Sequence, residues 1–260
     1  MLPEDICFIA IDFPGHGKSS HRWPGMPYVH FEYIADVKKV ISQLGWERFS
    51  FIAHSMGANV AALYAGTFPC EVEDLILFDF GGPPIRPTEK TAHLLARYAT
   101  AMSNAKTANP RVYQNLESAA KRRQVPYLGS SLSKEGAMLL TERGTRITKK
   151  GLIFSHDPIL KDPITCQPFL VPQHSLLSVL SKIQCAVLAL EGTDTVHNPG
   201  EKEPLIERLK VIYQSAKFKF CKRIKGGHHF HLEQPEQVAQ EIKKFLATSQ
   251  SQECVKHSKL

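Results

Sequence analysis

The chain has 260 residues, 43% of them hydrophobic, which suits one domain with a sizeable core, or a core carrying an inserted segment. Helix-like and strand-like stretches alternate, which excludes disordered and fibrous classes, and no run of about 18 apolar residues occurs, so no membrane span is expected. Formal charge is +7, but the Lys and Arg residues are spread over 121–123, 149–150 and 217–225 with acidic residues elsewhere, which fits a solvated basic surface better than a nucleic-acid interface.

Six cysteines (Cys7, Cys70, Cys166, Cys185, Cys221, Cys254) are scattered without a CxxC pair. Neither a metal-site nor a disulfide-framework spacing is present, and a reducing compartment is the simpler inference.

The first predicted element is a buried strand, Ile6 to Ile11, stopped by a turn over Asp12 to Gly17. Phe31 to Leu44 carries apolar residues at helical spacing and ends at Gly45, a helix stop. Phe49 to Ala53 reads as a strand, Met56 to Phe68 as an Ala-rich helix, and Leu75 to Phe78 as a third strand. From residue 83 to 173 the pattern loosens into amphipathic helical stretches (Ala92 to Met102, Val112 to Ala120, Lys134 to Glu142), whose apolar residues could line a pocket or simply form a local core. Alternation resumes with a strand over Ala186 to Leu190, a helix near Glu203 to Gln214, a strand over Phe218 to Ile224 and a helix from Pro235 to Ala247. The expected architecture is α/β: a parallel sheet core from 1–82 and 174–260, with a helical lid over 83–173.

Three segments carry chemistry. Ala53-His54-Ser55-Met56-Gly57 lies between a predicted strand and a predicted helix, where a sharp turn would lift the Ser55 hydroxyl above the sheet. Small residues are expected at Ala53 and Gly57 for steric reasons, and the Met56 backbone N–H could donate to a developing oxyanion. Gly226-Gly227-His228-His229-Phe230-His231 follows the last strand, at the end of the sheet where open α/β folds place their ligands. His228 is expected to act as base to Ser55. No metal is expected, because additional ligands at suitable spacing are lacking. The base needs a carboxylate. Asp194, after the strand Ala186 to Leu190, is preferred; Asp79, after the earlier strand, preserves the same chain order and stays open.

Together these residues resemble the lidded α/β-hydrolase family over Ile6 to about Ala247. Ile11 to Ser20 resembles the family's D-x-x-G-x-G-x-S segment, Ala53 to Gly57 its nucleophile elbow with Ala where Gly is usual, Glu191 to Asp194 its acid loop, and Gly227-His228 with His231, Glu233 and Pro235 its histidine segment. The last match favours His228 over His229 as base. Phe49-Ser50-Phe51, the stretch Gly151 to Leu160 and the Ser-Lys-Leu end make the serine hydrolase-like subgroup the most similar, a group placed in peroxisomes or cytoplasm. The resemblance implies that the family's first three strands, and the His-Gly loop that supplies a second oxyanion donor, are missing here. About 40–60 further upstream residues are expected by that analogy.

The implied function is acyl transfer from an ester or thioester to Ser55, with a small-molecule acyl substrate, no cofactor and no nucleic-acid partner. The competing reading is a non-catalytic protein of the same fold without a complete oxyanion hole, since one donor is worth roughly 10²–10³ in kcat. Serine at the elbow argues against relatives that use an aspartate nucleophile. Ser258-Lys259-Leu260 matches a receptor-read peroxisomal address behind a tail, Thr248 to His257, expected to be loose. A peroxisomal location with a cytoplasmic pool, and an import receptor as partner, follow as expectations.

Overall fold

The computed structural model describes residues 6–24, 26–83, 88–103, 110–161, 172–196 and 199–257. The Ser258-Lys259-Leu260 end lies outside them. Helix α1 (His30–Leu44) buries Tyr33, Val37 and Ile41 on one face and stops at Gly45, which takes φ 68°. Strand β1 (Phe49–His54) leads through Ser55 into α2 (Met56–Thr67), whose residues Ala58 to Gly66 are all buried. Strand β2 (Val72–Phe78) follows, buried at every position but Glu73.

The segment after β2 contains α3 (Thr91–Ser103), β3 (Val112–Tyr113), α4 (Leu116–Arg123), α5 (Lys134–Gly144), β4 (Thr145–Thr148) and β5 (Gly151–Phe154). It is not wholly helical as expected. Its three strands form a small antiparallel sheet in the order β3-β5-β4. These strands are two to four residues long and mostly unburied, so they lack the apolar run that marks a core strand. Of the apolar residues expected to line a pocket, Leu94 is buried, while Leu95, Val112 and Leu139 are exposed.

Helix α6 (Gln173–Leu180) returns the chain to the core, followed by β6 (Ala186–Gly192), α7 (Pro199–Ser215), β7 (Phe218–Ile224), the short α8 (Phe230–Glu233) and α9 (Pro235–His257). Strands β1, β2, β6 and β7 make one parallel sheet in that order. One core cluster joins Leu75, Leu77 and Val187 to α1, α2, α6 and α7. A second joins Ile76, Leu188 and Leu190 to α9 through Val238, Ile242 and Phe245. Alternate strand residues therefore face opposite helical layers, as a doubly covered sheet requires.

Two expectations are corrected. Ile6 to Ile11 is not a buried strand: it pairs with no strand among the described residues, and Ile6, Phe8 and Ile9 are exposed. Its apolar run fits a sheet interior, but among the described residues β1 is the last strand of the sheet on that side. Nor is Thr248 to His257 loose, because α9 continues to His257. That stretch holds no Gly or Pro to break the helix, and the Ser249 hydroxyl donates to Asp74 at 2.6 Å.

No helix among the described residues is long and apolar enough to cross a membrane.

Candidate active site

Strand register sets the site. His54 of β1 lies opposite Phe78 of β2, and Phe78 lies opposite Leu190 of β6. Ser55 and Asp79 are each one residue beyond that row, so both emerge at the sheet rim side by side. The Ser55 amide donates to the Phe78 carbonyl at 3.0 Å and the Asp79 amide to the Leu190 carbonyl at 2.8 Å.

Both residues take positive φ, 53° at Ser55 and 49° at Asp79. With ψ −118°, Ser55 sits in backbone space that L-residues rarely adopt. This kink turns the hydroxyl away from β1 and starts α2 at Met56. As the first residue of α2, Met56 contributes an N–H that has no acceptor within its own helix. At Gly57 the steric expectation fails: an added Cβ would meet nothing within 4 Å.

The Ser55 Oγ and His228 Nε2 lie 2.9 Å apart. On the other side of the ring, His228 Nδ1 lies 2.6 Å from Asp79 Oδ2. An ionised carboxylate can only accept, so Nδ1 carries the proton and Nε2 is left to accept from the Ser55 hydroxyl. His228 is 4% exposed and Asp79 is 4% exposed, so the contact between them is shielded from water, while Ser55 is half-buried.

Burial alone would raise the Asp79 pKa. The hydrogen bond from His228, the Gly192 amide at 3.0 Å and the Thr195 hydroxyl at 3.0 Å outweigh it, and the carboxyl is held below its usual value.

The preference for Asp194 is corrected. Asp194 is exposed, and its carboxylate accepts from the neighbouring Thr193 hydroxyl at 2.8 Å. The reason is register: Asp194 lies four residues past Leu190, where Asp79 lies one past Leu190's partner Phe78. The chain has already turned by then. The loop still serves the site through its backbone, with the Asp194 amide donating to the Gly226 carbonyl and the Thr193 amide to the Ile224 carbonyl, both at 2.9 Å.

His228 comes four residues after Ile224, the end of β7, and the close approach of its loop requires glycine at position 227. A Cβ on Gly227 would fall 1.6 Å from the Ser130 Oγ. Ser130 in turn accepts from the His228 amide at 3.2 Å, and Tyr127 stacks edge-on against the His228 ring at 5.3 Å. A turn of the inserted segment, closed by the Tyr127–Ser130 bridge, thus braces the histidine.

Sequence reasoning missed this brace, because a Tyr and a Ser in a polar loop carry no motif. It also missed Thr195 and the role of His54, whose Nε2 donates to the His228 carbonyl at 2.7 Å. His54, His229 and His231 crowd together with ring centroids 4.3–5.9 Å apart. Burial pushes all three pKa values down, to about 2 for His54 and about 4 for His229 and His231, with neighbouring imidazoles adding to the effect.

Behind Asp79, the buried Arg208 guanidinium donates to the Gly81 carbonyl at 2.5 Å, the Pro83 carbonyl at 2.8 Å and Gln173 Oε1 at 3.1 Å. It holds the loop that carries the carboxylate.

Comparison with known proteins matches residues 2–135 to the alpha/beta hydrolase fold family. A serine hydrolase-like protein of Danio rerio is 35% identical over 95% of this chain and 75% of its own length. Serine hydrolase-like protein 2 of Homo sapiens is 30% identical over 95% of this chain and 80% of its own. Among solved structures, a hypothetical protein of Pseudomonas aeruginosa PAO1 superposes with a TM-score of 0.75 at 30% identity, covering 91% of this chain and 79% of that one. The chain therefore belongs to the alpha/beta hydrolase fold family, in its serine hydrolase-like group.

Proposed function

We propose that the protein is a serine hydrolase that cleaves carboxylic esters or thioesters through an acyl-enzyme on Ser55. The observation that carries this reading is the continuous Ser55–His228–Asp79 hydrogen-bond line. His228 Nε2 takes the Ser55 proton as Oγ attacks the substrate carbonyl carbon. The Met56 N–H, at the positive end of α2, faces the oxyanion that develops. Asp79 stabilises the imidazolium without itself taking the proton. Collapse of the intermediate expels the alkoxide or thiolate, which leaves with the proton from His228. A water then gives its proton to His228, attacks the acyl carbon and releases the carboxylic acid and free Ser55.

Membership of a hydrolase fold family and the serine hydrolase-like relatives support the same chemistry. The test is labelling by a fluorophosphonate probe. The wild-type chain is expected to label and Ser55→Ala to lose the label completely. A folded wild-type chain that does not label would sink the reading and favour a non-catalytic member of the fold. Parallel hydrolysis of matched oxygen and sulfur esters distinguishes ester from thioester preference.

A further inference from the structure

We propose that His54, His229 and His231 bind one divalent transition-metal ion of the zinc type, and that this ion shuts down the neighbouring His228. One ring nitrogen from each residue lies within 4.8 Å of the other two. A tetrahedral zinc with nitrogens at about 2.0–2.1 Å would space them about 3.4 Å apart, so side-chain rotations of roughly an ångström close the site. The fourth position stays open for water.

Sequence spacing alone leaves the histidine loop short of ligands. The fold supplies the third: His54 lies at the end of β1, and His229 and His231 flank the fully buried Phe230 at the start of α8. Two observations go beyond proximity. The His231 Nδ1 is buried without a hydrogen-bond partner, a cost that simple packing leaves unrelieved and that a metal bond to this nitrogen would remove. The His54 Nε2–H donates to the His228 backbone carbonyl, the outer contact that typically orients a metal-binding imidazole. Three imidazoles without a carboxylate suit zinc, copper or nickel and not magnesium or calcium, which take oxygen ligands.

The inhibitory half rests on the hydrolase reading. The His54 and His229 rings lie 4.6 and 5.0 Å from the His228 ring, so a dication held by them opposes the imidazolium that must form when Ser55 gives up its proton. Should the metal take the His54 Nε2 instead, the bond to the His228 carbonyl breaks and the ring loses that support. Both routes end at the same base.

The test is calorimetric titration of the full chain, stripped with EDTA, with Zn²⁺ and separately with Mg²⁺, alongside fluorophosphonate labelling. Expected are one Zn²⁺ per chain, no Mg²⁺ binding, and a labelling rate at least about tenfold lower at saturation that recovers on adding EDTA. His229→Gln and His231→Gln, checked for folding by urea unfolding, should lose the binding. Electron paramagnetic resonance of the Cu²⁺-loaded wild type, which needs no variant, should report three nitrogen ligands. No stoichiometric Zn²⁺ binding, undiminished binding by the double variant, or a copper spectrum without imidazole nitrogens overturns the site. Zn²⁺ binding with unchanged labelling overturns the inhibition. Failure of the metal-free chain to label overturns the hydrolase reading alone.

Discussion

Asp79 stands one residue past β2, the strand that adjoins the one leading into Ser55, and its Oδ2 lies 2.6 Å from Nδ1 of His228. Asp79→Asn keeps the shape but can donate to Nδ1, favouring the tautomer in which Nε2 no longer accepts from Ser55. The expected loss in kcat is about 10⁴. Asp194→Asn, on an exposed side chain, should stay within about threefold of wild type. Ester turnover by the two purified variants checks this, and the reverse ranking would return the acid role to Asp194.

Gly227 leaves no room for a side chain beside Ser130. Gly227→Ala should displace the loop and lengthen the Ser55–His228 contact, costing about 10² in kcat/KM as a roughly 1 Å misplacement does. The Ser130→Gly change removes both side-chain atoms that a methyl group at position 227 would strike. The double variant should therefore recover part of the loss despite lacking the Ser130 hydroxyl. A double-mutant cycle on turnover measures the coupling; strictly additive losses would show that the close approach does not govern His228.

Arg208→Met deprives two backbone carbonyls, those of Gly81 and Pro83, of their buried donor. At about 1–3 kcal/mol for each of the two groups left unsatisfied, the expected loss is roughly 2–6 kcal/mol in urea unfolding. Because those residues closely follow Asp79, kcat should also fall in the surviving folded fraction. An unchanged urea midpoint would count against the assignment.

Acid should destabilise the fold earlier than carboxylate titration predicts. Burial depresses the His30 pKa to about 4 from 6.5, so the unfolded chain takes up this proton first as pH falls. The stabilising contribution is complete above pH 6.5 and declines between 6.5 and 4, by roughly 3 kcal/mol in all. Urea midpoints across that range should slope downward, and His30→Gln should make the slope shallower, with His54, His229 and His231 sustaining the remainder.

Much of this was legible in the sequence because buried parallel strands have few disguises. Ala186 to Leu190 and Leu75 to Phe78 are apolar at every position, and both lie inside the observed strands β6 and β2. Ser55 and His228 could be read from their places after a strand. Asp79 against Asp194 could not, because each follows a strand and only register between β2 and β6 separates them. The same limit hid the Tyr127–Ser130 brace, a contact about a hundred residues away from His228 in sequence. Ile6 to Ile11 misled for the opposite reason: its composition fits a strand, but a strand needs a neighbour.

The elbow geometry at Ser55 has a consequence for how this chain would fare under selection. A residue held at φ 53° and ψ −118° carries about 1–3 kcal/mol of conformational strain that glycine would not. Ser55→Gly should therefore melt a few degrees higher, at roughly 2–4 °C per kcal/mol for a chain of this size, while doing no chemistry. A library screened only for heat resistance would drift toward the dead protein, so serine at this position persists only where the hydroxyl itself is being tested.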